Sequence, residues 1–323
     1  MRRSLGILLI TLMLASMVDG RPMVVAYVPN WIDLPAFAAT IDYAKVTHLN
    51  IAFENPSNEA GELTFNADNA ALIAKAHAHQ VKVLVSIGGG SAAEDKILRR
   101  RYANLLGEKN RQKFVAGLAA YVTAHGFDGL DVDLEGPSVT ADYGAFIKEL
   151  AAALKPEGKL LTAALSKGYG GDKVPVEVFD QLDFVNIMAY DAVGYWEPDA
   201  PGQHSSLAFA RETVAWWLAR GLPKAKAILG VPFYGYGFGP ELRKGEYPYR
   251  EIVVRHAGAE NADEVGNTIW YNGQGTIKDK AREVLEQGLG GIMIWSLDSD
   301  VQDPRSLLGV IGATLNPGTA AGK

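Results

Sequence analysis

Eight short apolar runs, separated by stretches whose apolar residues recur at helical spacing, constrain this chain more than any other feature. The runs cover residues 24–27, 46–53, 82–87, 129–135, 160–165, 184–190, 227–232 and 291–296, and the clearest helical stretches cover 68–79, 110–125, 143–154, 206–220 and 277–287. Strand-then-helix units repeated in this way build a parallel sheet with helices packed against it. Eight of them predict a closed (β/α)8 TIM barrel of α/β class. An open doubly wound sheet would favour a Gly-rich phosphate turn after its first strand, whereas the first run here leads into Val28-Pro29-Asn30-Trp31. A length of 323 residues suits one such barrel, expected over 21–316 with a flexible tail at 317–323. No internal repeat, low-complexity tract or linker interrupts it. The Gly- and charge-rich stretch 237–266 reads as the longest irregular insertion, too short for a domain of its own.

The N-terminus assigns a compartment. Arg2 and Arg3 precede an apolar run that is too short for a bilayer span, and Val18 and Gly20 suit the −3 and −1 positions of a cleavage site. Residues 1–20 therefore read as a signal peptide, and the chain as secreted or periplasmic. With no cysteine, disulfides, thiol nucleophiles, Cys-ligated zinc and a lipid anchor on Cys are all excluded. A net charge of −6 argues against nucleic acid or an anionic membrane as partner. The expected partner is a neutral small molecule or polymer.

The chemistry concentrates on the fourth run, Asp128-Gly129-Leu130-Asp131-Val132-Asp133-Leu134-Glu135. Period two places Leu130, Val132 and Leu134 on one face and Asp131, Asp133 and Glu135 on the other. If the apolar face meets the helices, the acidic face points into the barrel. Three ionised carboxylates there would cost on the order of several kcal/mol in lost hydration and mutual repulsion. Such a row keeps one carboxyl protonated near neutral pH, as a general acid requires. Two blander readings compete: solvated acids on an edge strand, and a Mg²⁺ or Ca²⁺ site. None of the six histidines forms a metal pattern, His77 and His79 lying on different faces of their helix.

This strand resembles, at every motif position, the DxxDxDxE signature of the glycoside hydrolase family 18 chitinases. Ser86-Ile87-Gly88-Gly89 resembles the family's SxGG motif, Met188-Ala189-Tyr190-Asp191 its MxYD motif, and Trp295 its substrate-floor tryptophan; residues 25–31 are similar to its first strand. The resemblance runs from about Pro22 to Asp300 and implies a hydrolase of N-acetylglucosamine chains that uses no cofactor or metal. It implies that Glu135 protonates the leaving oxygen while the sugar's own 2-acetamido oxygen attacks, the substrate-assisted exception to the two-carboxylate scheme. It further implies that Asp133 binds the acetamido N–H, that Asp131 shares a proton with Asp133, that the Tyr190 hydroxyl holds the acetamido oxygen, and that Asp191 braces that set. Ser86 would be a small donor beneath Asp131, with Gly88 and Gly89 shaping the turn, and Asp128 would be a structural member of the motif.

Sugar rings have apolar faces, so aromatic residues at strand ends make platforms for them. Beside Trp295 the candidates are Tyr27, Trp31, Phe53, Trp196, Tyr234 and Tyr236, whereas Trp216 and Trp217 belong to helix packing. Two departures from the family pattern matter. Tyr236 stands where many relatives have arginine, and 237–266 is too short for the lid domain of deep-cleft members, so an open groove is expected. Three functions follow: a chitinase or chitooligosaccharidase, an endo-β-N-acetylglucosaminidase acting on N-glycan cores, or a non-catalytic chitin-binding protein. The intact acid row argues against the third. A monomer acting on a carbohydrate, without stable membrane association, is the expected state.

Overall fold

The computed structural model describes residues 20–239, 242 and 245–316. The signal peptide expected over 1–20 and the tail expected over 317–323 fall, apart from Gly20, outside the described residues. In chain order the strands are β1 (Met23–Pro29), β2 (His48–Ala52), β3 (Lys82–Gly88), β4 (Gly129–Asp133), β5 (Leu160–Ser166), β6 (Phe184–Met188), β7 (Ala227–Pro232), β8 (Tyr234–Gly237), β9 (Glu246–Pro248), β10 (Glu264–Val265), β11 (Ile269–Trp270) and β12 (Gly291–Trp295). Strands β1 to β7 and β12 close into a parallel barrel in the order β1, β12, β7, β6, β5, β4, β3, β2. This is the expected (β/α)8 architecture.

Alternation explains the closure. Val24, Ala26 and Val28 of β1, Val83, Val85 and Ile87 of β3, and Leu130 and Val132 of β4 join the helices in one continuous core. Residues one step away point inward, where Val25, Tyr27, Phe184, Ile228 and Met293 pack together. The interior is not wholly apolar, because Asn50, Ser86, Asp131, Thr162 and Asn186 are buried there too. Four expected runs outlast their ladders. Pairing stops at Ala52, Asp133, Met188 and Trp295, so Phe53, Glu135, Tyr190 and Ser296 leave the sheet at its C-terminal rim.

The expected helices appear as Asn69–Ala78, Glu108–Ala124, Tyr143–Leu154, Leu207–Ala219 and Gln274–Gln287. Trp217 is fully buried beside Trp216, with the Arg220 guanidinium 5.3 Å from the Trp217 and 4.6 Å from the Trp216 ring centroid, as packing residues should be. Helix Lys96–Leu106 escaped the periodicity because three consecutive arginines, Arg99 to Arg101, interrupt its apolar face; Asp95 caps it by accepting from the N–H groups of Ile97 and Leu98. The insertion is the main correction. The described part of stretch 237–266 is not irregular throughout: with the flanking strands it contributes to an antiparallel sheet ordered β10, β11, β8, β9, and it carries helix Tyr249–Arg255. Strands of two to four residues are too short to display a period of two, and Gly235, Gly237, Gly239 and Gly245 read as loop.

Gly88 holds the rim of β3 against β4. Its φ is +107°, and a Cβ there would lie 2.0 Å from the Asp133 carbonyl oxygen, which already accepts from the Gly89 N–H at 2.7 Å. Gly90, two residues on, has open space around it. Gly88→Ala is expected to destabilise the protein by roughly 2 kcal/mol or more, and Gly90→Ala to change it by less than about 1 kcal/mol. Urea unfolding of both variants checks this; equal effects would contradict the close approach.

Candidate active site

The acidic face of β4 enters the barrel as alternation requires. Asp131 is fully buried, Asp133 is 4% exposed, and Glu135, just past the strand end, is partly exposed. Their surroundings differ sharply. Asp131 is met by four donors: the Tyr27 hydroxyl and Ser86 Oγ, each 2.7 Å from Oδ2, and Thr162 Oγ1 at 2.5 Å and Asn186 Nδ2 at 3.3 Å from Oδ1. Asp133 Oδ1 is buried with no hydrogen-bond partner among the described residues.

The charge each can carry follows from these contacts. Burial raises the Asp131 carboxyl, while its four donors pull the other way. Asp133 is pushed well above the usual carboxylate range, first by burial and then by the charges of Glu135 and Asp131. Glu135 is pushed up to about 7 by burial, with Asp191 and Glu94 adding to it. Two protonatable groups therefore sit above one donor-saturated carboxylate. Asp128, the first acid of the motif, lies at the opposite end of the strand. Burial opposes its ionisation, but hydrogen bonds from the Val83 N–H at 2.8 Å, Lys82 at 3.0 Å and His77 at 2.8 Å hold it below the usual range. It ties β3 to β4 far from the row.

The rim of β3 is fixed by Asn55, whose Nδ2 donates to the Gly88 carbonyl at 2.9 Å while its Oδ1 accepts from the Gly88 N–H at 2.8 Å and the Tyr102 hydroxyl at 2.5 Å. Gly89, at φ +71°, leaves room for the Phe53 ring, which a Cβ would approach to 2.4 Å. Phe53 in turn stacks on Trp295 with centroids 5.6 Å apart, and Tyr27 packs on the same indole at 5.5 Å. Glu246 of β9 accepts a hydrogen bond from the Trp295 side chain, so the inserted sheet also holds this ring.

Across the barrel, Tyr190 and Met188 are each 8% exposed, and among the described residues the Tyr190 hydroxyl has a single long contact, 3.9 Å from Met293 Sδ. Asp191 takes the left-handed φ of 63° that aspartate tolerates better than most residues. Its Oδ1 accepts from the hydroxyls of Tyr234 and Tyr236, the latter at 3.0 Å, and lies 3.4 Å from His204 Nδ1. Tyr236 thus offers Asp191 a neutral donor.

Three platform assignments need correction. Tyr27, Tyr234 and Tyr236 are 1%, 2% and 4% exposed, so none keeps a ring face open to a sugar, and their hydroxyls serve Asp131 and Asp191 instead. Trp196 is half exposed on an edge-to-face cluster with Tyr195 and Tyr236, at 5.4 Å and 5.2 Å, and Trp31 stands exposed on the turn after β1. Sequence reasoning passed over Thr162, Asn186, Asn55 and His204. Thr162 and Asn186 had left a signal, since each is a lone polar residue at an inward position of an apolar run, and Thr162 is the direct register partner of Asp131. Among the described residues no three His, Asp or Glu side chains converge to hold a metal ion.

A parallel eight-stranded barrel with a buried acid row at its C-terminal rim carries its candidate site where enzymes of this architecture carry theirs. The family model described as glycosyl hydrolases family 18 matches residues 23–300, and the chain belongs to that family. It is 29% identical to Chitotriosidase-1 of Mus musculus over 85% of this chain and 73% of that protein, and 29% identical to the class V chitinase of Arabidopsis thaliana over 84% and 85%. Among solved structures, the GH18 chitinase ChiB from the chitin utilization locus of Flavobacterium johnsoniae superposes with a TM-score of 0.84 at 37% identity, covering 92% of this chain and 94% of that one. A GH18 chitinase from Cycas revoluta in complex with (GlcNAc)3 gives 0.76 at 26% identity, covering 90% and 99%.

The raised Glu135 carboxyl has a stability signature. Its folded value of about 7 lies above the unfolded value, so between these values the folded state binds more protons and stability falls as pH rises. Removing the charge with Glu135→Gln is expected to raise stability at pH 8 by on the order of 1 kcal/mol, about 2–4 °C in Tm, with the gain vanishing near pH 4. Calorimetric melts at the two pH values check it; a gain at pH 4 equal to that at pH 8 would contradict it.

Proposed function

We propose that this glycosidase is a secreted enzyme that cleaves β-1,4-linked N-acetylglucosamine chains, chitin or chitooligosaccharides, with net retention and through the substrate's own acetamido group. The observation that carries the reading is the division of the row: one protonatable acid at the open end, Glu135, and beneath it a buried Asp133 with an unpartnered oxygen. Retaining enzymes of the two-carboxylate kind need a second carboxylate free to attack. Here Asp131 is saturated by donors in the barrel interior, and Asp133 is pushed well above the usual carboxylate range by burial and its acidic neighbours, which supports a nucleophile supplied by the substrate. That the Cycas revoluta relative holds (GlcNAc)3 supports the substrate class.

The steps follow. Glu135 gives its proton to the glycosidic oxygen as the bond from C1 breaks, and the acetamido carbonyl oxygen bonds to C1 from the opposite face. Asp133, ionised once the proton it shares passes to Asp131, accepts the acetamido N–H and offsets the positive charge of the oxazolinium, while Tyr190 donates to the acetamido oxygen and holds it in line. The Glu135 carboxylate then takes a proton from water, whose oxygen bonds to C1 as the ring opens, restoring the starting acid. Trp295, with Phe53 behind it, supplies the floor under the reacting sugar, and the exposed rings of Trp31 and Trp196 would stack further sugars. Export would rest on residues 1–20; no described helix is long and apolar enough to cross a membrane.

Two inversions at C1 give net retention, so proton NMR in the first minutes of hydrolysis is expected to detect the β-anomer. Fully deacetylated chitosan should resist cleavage, and Glu135→Gln should lower turnover by at least about 10²-fold with sugar binding kept. First release of the α-anomer, or comparable cleavage of the deacetylated polymer, would overturn the mechanism. Faster release from a high-mannose glycopeptide than from chitooligosaccharides would keep the mechanism and change the substrate.

A further inference from the structure

Lys280 is a fully buried ammonium on helix Gln274–Gln287, and no carboxylate lies within hydrogen-bonding distance of it among the described residues. Its three N–H groups go to neutral oxygens: the Ser205 carbonyl at 2.6 Å, Ser205 Oγ at 2.6 Å and Asn272 Oδ1 at 2.7 Å. Burial pushes it down to about 7 against the more distant charge of Asp263. A buried charge satisfied only by neutral groups costs stability, and an isosteric apolar residue would avoid that cost.

The geometry gives the ammonium a task. Because Lys280 donates to Ser205 Oγ, the hydroxyl hydrogen is left to point the other way, and it meets the Ala189 carbonyl at 2.6 Å. Ala189 immediately precedes Tyr190. Asn272 Nδ2 adds a second bond to the Ser205 carbonyl at 3.0 Å, and the neighbouring His204 reaches the Asp191 N–H at 3.4 Å and the Tyr234 carbonyl at 3.3 Å. Tyr190 has left the β6 ladder, and among the described residues its hydroxyl makes only the long contact to Met293. Its placement therefore depends on the backbone beneath it rather than on its own hydrogen bond.

We infer that Lys280 is a positioning residue for Tyr190: through Ser205 it clamps the Ala189 carbonyl and so fixes the rim from which the tyrosine reaches the reacting acetamido group. This rests on the role proposed for Tyr190. The clamp joins helix Gln274–Gln287, and the turn after β11 that leads into it, to the loop before helix Leu207–Ala219, so the inserted sheet is tied to the catalytic rim.

A double-mutant cycle on hydrolysis of tetra-N-acetylchitotetraose tests it. Lys280→Met is expected to lower kcat about tenfold with KM within about twofold, yet to lower it less than about twofold in the Tyr190→Phe background, because the group it positions is already gone. Should Lys280→Met fail to fold, Ser205→Ala, which removes only the hydroxyl, is expected to give the same pattern. Equal losses in both backgrounds, or a lower Tm with kcat unchanged, would overturn the clamp. Full activity of Tyr190→Phe alone would instead overturn the reading of Tyr190 and the inference with it.

Discussion

Loss of water around the carboxylates of β4 is the constraint on which the rest of this structure depends. Leu130, Val132 and Leu134 must face the helices to complete the core, and a period of two leaves Asp131, Asp133 and Glu135 no direction but inward. The barrel answers at each depth differently. At the bottom, four donors saturate Asp131; in the middle Asp133 is left without a partner for one oxygen; at the rim Glu135 stays within reach of solvent. One strand thus yields three acids of unequal strength from position alone.

Support for the row is spread around the whole barrel. Tyr27 from β1, Ser86 from β3, Thr162 from β5 and Asn186 from β6 all converge on Asp131, so closure of the sheet and construction of the site are one event. On the rim the same economy recurs. Asn55 holds Gly88, Phe53 backs Trp295, and the tyrosines of β8 hold Asp191. These partners stand where strands end, which is why runs that outlast their ladders mark the site.

Much of this was legible in the sequence. The eight runs predicted the barrel because parallel strands buried on both faces leave short apolar signatures, and the acid row stood out because nothing structural requires it. What escaped did so for physical reasons. Strands β8 to β11 are too short to carry a period, and the helix Lys96–Leu106 hides its apolar face behind three arginines. Tyr27 and Tyr234 looked like platforms because position along a strand does not reveal how deep a ring sits. Lys280 was invisible in principle: a lysine in an amphipathic helix reads as solvated, and only tertiary contacts with Ser205 and Asn272 make it a buried clamp.

The claim that burial makes Glu135 an acid at neutral pH is open to direct observation. Carbon-13 NMR of the protein labelled at the glutamate carboxyl carbons, compared with Glu135→Gln to assign the signal, would follow its titration. The account predicts a midpoint of about 7 for the resonance lost in the variant. A midpoint near the ordinary glutamate value of about 4.3 would mean that the row does not hold its proton, and would contradict the account.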